Sequence, residues 1–515
     1  MLGLLFQHSM LHMFKRIAIL LALSLTSCSV FKPSIPTPKH EFRGVWIATV
    51  VNIDWPKSGL DDIEKQKLDY LKILDFYKDL NFNAVIVQIR AAGDAFYPSQ
   101  YSPWSRFLTG NEGTAPEPYY DPLHWMIQEA HARGMEFHAW LNPYRATFDE
   151  KLEILSKDHD YNLHPHWMLK YGKKYYYNPG LPEVQQHLTN IMGEVVANYD
   201  VNAVHFDDYF YPYKITDETF EDTETYSKYA QPQQSLEDWR RSNIDSLVKN
   251  VHKTIKNIKP WVQFGISPFG VWKNNSTDPR GSDTKAGQTT YEDLYADPLL
   301  WMKMGWIDYL VPQVYWSMDL PVASHKKIVD WWSKNSHNTN LYIGNGPYKI
   351  RNNSDKAWDR KKELPNQIRF ARKNKNVIGN VFFSAKSLMS NKEDVLKILK
   401  KKYYNNIALP PTSPLQKNVF DNEIVETEFE EKDGLLHFSL PSTERQNLRY
   451  ALVYLAKKES KLSLENTDRL VAKIPLSDSE HFSFDSSGFK GKKLLALTFI
   501  NNFGQESKPQ IIRIN

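Results

Sequence analysis

From Glu41 to about Tyr404 the chain alternates short β-branched and aromatic runs with longer segments whose apolar residues recur at helical spacing. Strands separated by helices return to the same edge and pair in parallel, so both faces of the sheet must be covered. The strand-type runs are Arg43–Val51, Ala84–Arg90, Phe137–Leu141, Asn202–Asp207, Val262–Ser267, Tyr309–Tyr315, Leu341–Gly344 and Val377–Phe383. The spacing predicts helices over about 61–80, 122–133, 182–199, 235–255, 291–303, 322–334, 363–373 and 391–403. Punctuation agrees: Asp121-Pro122 is an N-cap followed by a proline at the first helical position, and Gly134 sits where a C-cap belongs. Eight strand-helix pairs over residues 41–405 predict an α/β fold, a (β/α)8 TIM barrel with enlarged loops. The rival is a doubly wound open sheet. No Gly-x-Gly-x-x-Gly follows the first strand, and polar residues gather at the ends of at least six strands, which favours the barrel.

The two ends of the chain read differently. From Met13 a Met-Phe-Lys-Arg start, an apolar run over Ile17–Leu25 and Leu-Thr-Ser-Cys28 form a signal peptide of lipoprotein type over residues 1–28. Cys28, the only cysteine, is then the lipidated residue, and residues 29–40 with their prolines form a tether. The apolar run is short for a membrane span. The expected location is the bacterial cell envelope, with membrane attachment through Cys28. Residues 406–416 are a Pro-rich linker, and 417–515 carry short β-type runs without helical period. They predict a small antiparallel β-sandwich, fibronectin type III-like. The net charge is +4 with both signs interspersed, so no nucleic-acid footprint is present.

The run Asn202–Pro212, Asn-Ala-Val-His-Phe-Asp-Asp-Tyr-Phe-Tyr-Pro, ends a strand in two adjacent carboxylates. Alternation places Val204 and Phe206 on one face and His205 and Asp207 on the other, with Asp208 turning toward the same opening. If the barrel holds, its strand ends also bring together Asp54, Arg90, Asp94, Asn142, Arg145, Gln313, Tyr315 and Asp319. Trp46, Trp140, Tyr209, Tyr211 and Trp316 would line the same mouth. There is no serine elbow or phosphate cradle, and no metal-ligand spacing beyond a weak His164-Pro165-His166 pair, so neither cofactor nor metal is expected. Two carboxylates among aromatic platforms suit glycoside hydrolysis. Like charges side by side cannot both ionise easily, so one acid keeps its proton for the leaving oxygen. Each group also has a plainer role: Asp54 capping a turn, Asp94 pairing with Arg90, and the Asp207–Asp208 pair bound to His205 or an arginine.

Six ordered stretches resemble the glycosyl hydrolase-like 10 family of lipoproteins. They are Phe42–Pro56, Gln88-Ile-Arg with Gly93–Ser99, Ala139–Arg145, His205–Pro212, Gly265–Trp272 and Pro312–Trp316. The resemblance implies a TIM barrel, an envelope location and action on glycan; one type in that family cleaves peptidoglycan strands stripped of stem peptides. Division or other envelope proteins are possible partners on the same ground. The acidic pair also resembles that of substrate-assisted hexosaminidases, which implies Asp208 as general acid and Asp207 as the acetamide-orienting base. Gln313 and Tyr315 would then contact the acetamide, while Asn142, Arg145 and Arg90 hold hydroxyls; Asp319 remains a second carboxylate for an inverting route. Two other readings stay open: a non-catalytic glycan-binding lipoprotein, and a glycosidase of an exogenous polysaccharide.

Overall fold

The computed structural model describes residues 37–514 apart from residue 391 and the stretches 417–419, 421–423, 441–446, 457–458, 460–461, 477–480 and 488–492. The signal segment with Cys28, and the tether up to residue 36, lie outside the described residues. Eight parallel strands close into a barrel: β1 (Phe42–Ile47), β2 (Ala84–Arg90), β3 (Glu136–Leu141), β4 (Ala203–Phe206), β5 (Gln263–Ile266), β6 (Tyr309–Leu310), β7 (Asn340–Asn345) and β8 (Val377–Phe382). Each pairs with its neighbours in sequence, and β8 closes on β1 with Phe42 opposite Gly379. The ring is a TIM barrel.

The helices around it are α1 (Ile63–Asp79), α2 (Pro122–Ala132), α3 (Pro182–Asn198), α4 (Leu236–Ile258), α5 (Pro298–Lys303), α6 (His325–Lys334), α7 (Glu363–Lys373) and α8 (Glu393–Lys402). Their starts follow side-chain chemistry. The Asp121 carboxylate accepts from His124 N to begin α2, and Ser235 Oγ accepts from Asp238 N to begin α4. Gly134 ends the α2 turn at φ +71°, a left-handed conformation that other residues adopt at a cost. The helix expected over 291–303 is two pieces, Thr290–Asp293 and α5, because Asp297-Pro298 restarts the helix. The strand expected over 309–315 keeps ladder pairing only at Tyr309–Leu310. Pro312 has no N–H, and Gln313 beyond it is held by single bridges to Phe269 and Gly344.

Alternation within the strands sorts two cores. Val85, Val87, Phe137, Val204, Phe206 and Phe264 face the helices, whereas Phe42, Trp46, Ile86, Trp140, Tyr309 and Tyr342 fill the barrel interior. A hairpin of Met168–Tyr171 with Lys174–Tyr177, absent from the sequence expectation, stands in the long β3–α3 connection.

Beyond the barrel come β9 (Glu428–Lys432), β10 (Leu435–Ser439), β11 (Leu448–Ala456), β12 (Leu470–Pro475), β13 (His481–Asp485), β14 (Lys493–Asn501) and β15 (Gln510–Ile514). They form antiparallel sheets in the orders β9-β10-β13 and β12-β11-β14-β15. Leu436, Phe438 and Phe484 of the smaller sheet pack on Val453, Leu497 and Phe499 of the larger. The other face of the larger sheet, with Tyr450, Leu452 and Tyr454, buries Leu409 of the linker. Polar ties then fix it to the barrel: Lys473 Nζ donates to Gly134 O at 2.8 Å, and Arg449 holds Asp200 at 2.7 Å. In the linker, Ser413 Oγ donates to Asp308 at 2.5 Å. Gly134, Asp200 and Asp308 all precede barrel strands, so this module covers the N-terminal mouth and leaves the opposite mouth open.

Candidate active site

At the C-terminal ends of the strands a cavity of about 330 Å³ opens, near the lower bound of roughly 300 Å³ for small-molecule sites. Asp207 and Asp208, which directly follow β4, lie in it, and no other carboxylate among the described residues lines it. Both acids are almost fully buried. Trp46, Trp140, Arg145, Tyr209, Gln313 and Tyr315, all expected from the strand ends, share the lining. So do Gln88, Phe148, Lys174, Tyr213, Ser267, Phe383 and the rim residues Val50, Val51 and Ile53, which strand-end reasoning did not single out.

The pair is held by directed hydrogen bonds. Gln88 Oε1 accepts from Thr49 N at 3.1 Å and Val50 N at 2.9 Å, which fixes its amide with Nε2 donating to Asn142 Oδ1 at 2.6 Å. Asn142 must then present Nδ2, and it donates to Asp207 Oδ2 at 2.5 Å. Tyr209 N donates to Asp207 Oδ1 at 3.2 Å. Tyr213 OH donates to Asp208 Oδ2, and the Gln313 amide also addresses Asp208. The Arg145 guanidinium lies 4.3 Å from the centre of the Tyr209 ring and helps to offset the negative charge of both acids. Burial raises the Asp207 carboxyl to about 7, with the neighbouring Asp208 charge as the second cause. Burial also raises Asp208, against the hydrogen bonds from Tyr213 and Gln313. The pair therefore carries one proton near neutrality, and at rest it is assigned to Asp207, whose carboxyl is raised against an already charged Asp208.

Other expected site residues stand behind the cavity wall. Asp54 accepts from Ala48 N at 2.8 Å, Ser384 Oγ at 2.7 Å and Lys386 N at 3.0 Å, tying the β1 loop to the turn after β8. Arg90 donates to Asn142 O at 2.8 Å and Tyr177 OH at 3.2 Å, so it braces the β3 end from below. Asp94 accepts from Ala92 N at 3.0 Å and makes no pair with Arg90, its other oxygen and Arg90 Nε both lying buried without a hydrogen-bond partner. Tyr211 is buried beside Arg240 and Tyr295. Trp316 is half-buried against Phe269, and Asp319 is exposed and paired with Lys326 at 2.6 Å. None of these six lines the cavity, and Asp319 is too exposed to serve there as a second carboxylate. Nor does the acidic pair bind His205, whose partners are Trp46, Ser267 and Tyr309.

Apart from Gln88 on β2, the residues that sequence reasoning passed over come from connections. Tyr213 lies past the strand in the β4–α4 loop, and Lys174 reaches the rim because the unexpected hairpin folds back, with Ala146 N donating to Tyr175 O at 3.0 Å. Ser267 was visible as the end of a strand run, but nothing marked it among other serines. Among the described residues, no group of three or more His, Cys, Asp or Glu stands close enough to hold a metal ion. No described helix is long and apolar enough to cross a membrane.

Comparison with known proteins adds relatives to this geometry. The sequence pattern of the family described as glycosyl hydrolase-like 10 matches residues 41–360. The glycosyl hydrolase YngK of Bacillus subtilis (strain 168) is 45% identical over 439 residues, which cover 84% of this chain and 86% of that protein. The glycosyl hydrolase DigH of Escherichia coli (strain K12) is 38% identical over 370 residues, covering 65% of this chain and 83% of its own length.

Proposed function

The chain belongs to the glycosyl hydrolase-like 10 family and is a glycoside hydrolase, and from that premise we propose that it cleaves N-acetylated glycan, peptidoglycan strands above all, with Asp207 and Asp208 as its catalytic pair. The observation that carries this reading is that both acids, and no third carboxylate among the described residues, line one cavity walled by Trp46, Trp140, Tyr209, Tyr213 and Tyr315. Aromatic rings suit the apolar faces of sugars, and a lone acidic pair suits a reaction in which the substrate supplies its own nucleophile.

At rest the proton sits on Asp207. An acetamide N–H docking on Asp207 favours its charged form and pushes the proton to Asp208, which delivers it to the glycosidic oxygen. As that C–O bond breaks, the acetamide carbonyl oxygen attacks the anomeric carbon and an oxazolinium forms, its N–H held by Asp207. Water then opens this ring, giving its proton to Asp208 and restoring the acetamide. Tyr315 and Gln313 border the developing charge, and Arg145 keeps the negative pair tolerable in a buried site.

The family resemblance and the segment ending in Cys28 support an envelope-anchored enzyme. The test is release of reducing ends from purified peptidoglycan, intact and amidase-treated, with products identified by mass spectrometry. Asp208→Asn is expected to abolish release while glycan pull-down persists. Undiminished turnover removes Asp208 from the reaction. Release from plant or host polysaccharides but not from cell wall would replace the substrate class.

A further inference from the structure

A second chain of hydrogen bonds runs down the barrel axis from the cavity floor. His205 Nε2 lies 3.3 Å from Trp46 Nε1 and 3.0 Å from Ser267 Oγ, and His205 Nδ1 lies 3.0 Å from Tyr309 OH. Tyr309 OH lies 2.8 Å from His138 Nδ1, and His138 Nε2 lies 3.0 Å from Glu136 Oε2. Except for the Glu136 end, these side chains are almost wholly enclosed.

The direction of every bond in this column follows from the Trp46 end. An indole N–H only donates, so His205 Nε2 must accept, and its neutral ring then carries hydrogen on Nδ1. Burial holds the His205 ring well below its usual pKa, which keeps it neutral. Nδ1–H donates to the Tyr309 oxygen, Tyr309 O–H donates to His138 Nδ1, and His138 Nε2–H donates to Glu136. At the far end Glu136, a carboxylate that only accepts, takes that last hydrogen.

The consequence falls on Ser267. Its hydroxyl reaches two protein partners, His205 Nε2 at 3.0 Å and Phe206 O at 3.3 Å. Both can only accept, so either choice turns the single Ser267 hydrogen into the protein, and the oxygen lone pairs are left toward the cavity it lines. We propose that Ser267 is a specificity-determining contact of acceptor-only character, reading a hydroxyl or amide N–H on the bound sugar, with Trp46, His205, Tyr309, His138 and Glu136 as the positioning residues that lock its polarity. This rests on the glycosidase reading for its substrate, while the polarity itself does not.

A substrate atom that can only accept, set against Ser267, meets lone pair with lone pair and is rejected; a donor is kept. The experiment is kcat/KM for wild type and Ser267→Ala on an N-acetylated oligosaccharide and its analogues. Deoxyfluoro analogues replace each free hydroxyl in turn, and an acetoxy analogue replaces the acetamide N–H. At one position wild type is expected to lose roughly tenfold or more while Ser267→Ala loses little further, and the identity of that position tells hydroxyl from amide. Loss without coupling to Ser267 at any position overturns the contact. Neutron diffraction of the full chain is the second measurement. Hydrogen on His205 Nδ1 and His138 Nε2, with none on His205 Nε2, is expected; hydrogen on His205 Nε2 overturns the lock. Should wild type turn over no N-acetylated glycan, the functional reading fails alone, and the neutron map still decides the polarity of Ser267.

Discussion

Replacing Tyr213 with phenylalanine removes one hydroxyl and keeps the ring, which packs edge-on to Tyr209 at 5.4 Å between centres. The lost group is the hydroxyl that donates to Asp208 Oδ2. A hydrogen bond to a charged acceptor contributes about 1.5–3 kcal/mol, and one pKa unit corresponds to about 1.4 kcal/mol. Charging Asp208 without Tyr213 is therefore harder by about one to two units. The active form is the pair with one proton, so activity is bounded on the acid side by the first ionisation and on the alkaline side by the second. The first places charge on Asp208 and depends on Tyr213. The second empties Asp207, raised to about 7, and both of its end states already carry charge on Asp208, so Tyr213 affects them alike. In Tyr213→Phe the acid limb of kcat/KM should move up by about one to two units while the alkaline limb stays, narrowing the bell from one side. The assay is reducing-end release across pH 4 to 9, at ionic strength held constant. An unmoved acid limb, or an alkaline limb that moves in its place, refutes the assignment of resting charge to Asp208.

The remaining expectations concern stability and attachment. The folded Asp207 binds its proton more tightly than the unfolded chain does, so its contribution to stability is present below the unfolded pKa of 3.8 and lost as pH rises through about 7. Asp207→Asn should thus raise the melting temperature at pH 8, by at most about 4 kcal/mol in stability, and change it little at pH 4; equal shifts at both would refute this. A Cβ on Gly265 would sit 1.9 Å from the Tyr309 ring, so Gly265→Ala should cost about 1–3 kcal/mol or more in denaturant unfolding and displace the ring that links His205 to His138. Cys28→Ala should move the protein from the detergent phase to the aqueous phase in cell fractionation; retention in the detergent phase would dismiss Cys28 as the anchor.

The barrel was legible because its signals are local and redundant. Eight β-branched runs separated by capped amphipathic segments need no knowledge of long-range contacts, and Asp121, Gly134 and Ser235 marked boundaries that the structure keeps. Alternation around His205 put the right side chains inside, since Val204 and Phe206 do face the helices. What alternation cannot supply is depth along the strand. Arg90 and Asp94 follow the same strand-end logic as Arg145, yet Arg90 turns under the β3 end to Tyr177 and Asn142 O, and Asp94 folds back onto Ala92 N. Asp54 was readable both as a site residue and as a turn cap, and only the distant Ser384 and Lys386, brought in by barrel closure, show its bonds. Tyr213 and Lys174 depend on loops whose course no periodicity encodes.

Two directed columns of hydrogen bonds, one from Thr49 and Val50 through Gln88 and Asn142 to Asp207 and the other from Glu136 up to Ser267, reach β4 and β5 from opposite sides. A barrel interior filled with branched apolar side chains would be easier to stabilise, since every buried polar group must find a partner. The two columns meet that demand with little choice of orientation, because each begins or ends on a group that can act in only one sense. Backbone N–H groups only donate, a carboxylate only accepts, and an indole only donates. On its Asp207 side the acidic pair therefore meets neighbours whose hydrogens cannot turn to follow its charge, so polarity there and at Ser267 is set by the fold before any sugar arrives. A site preorganised in this way needs little rearrangement as charge develops, which is the condition under which buried dipoles lower a barrier most. If reorientable water or a freely rotating hydroxyl filled these roles instead, single substitutions at Gln88 or Tyr309 would leave the pH limits of kcat/KM and the preference among fluorinated sugars unchanged.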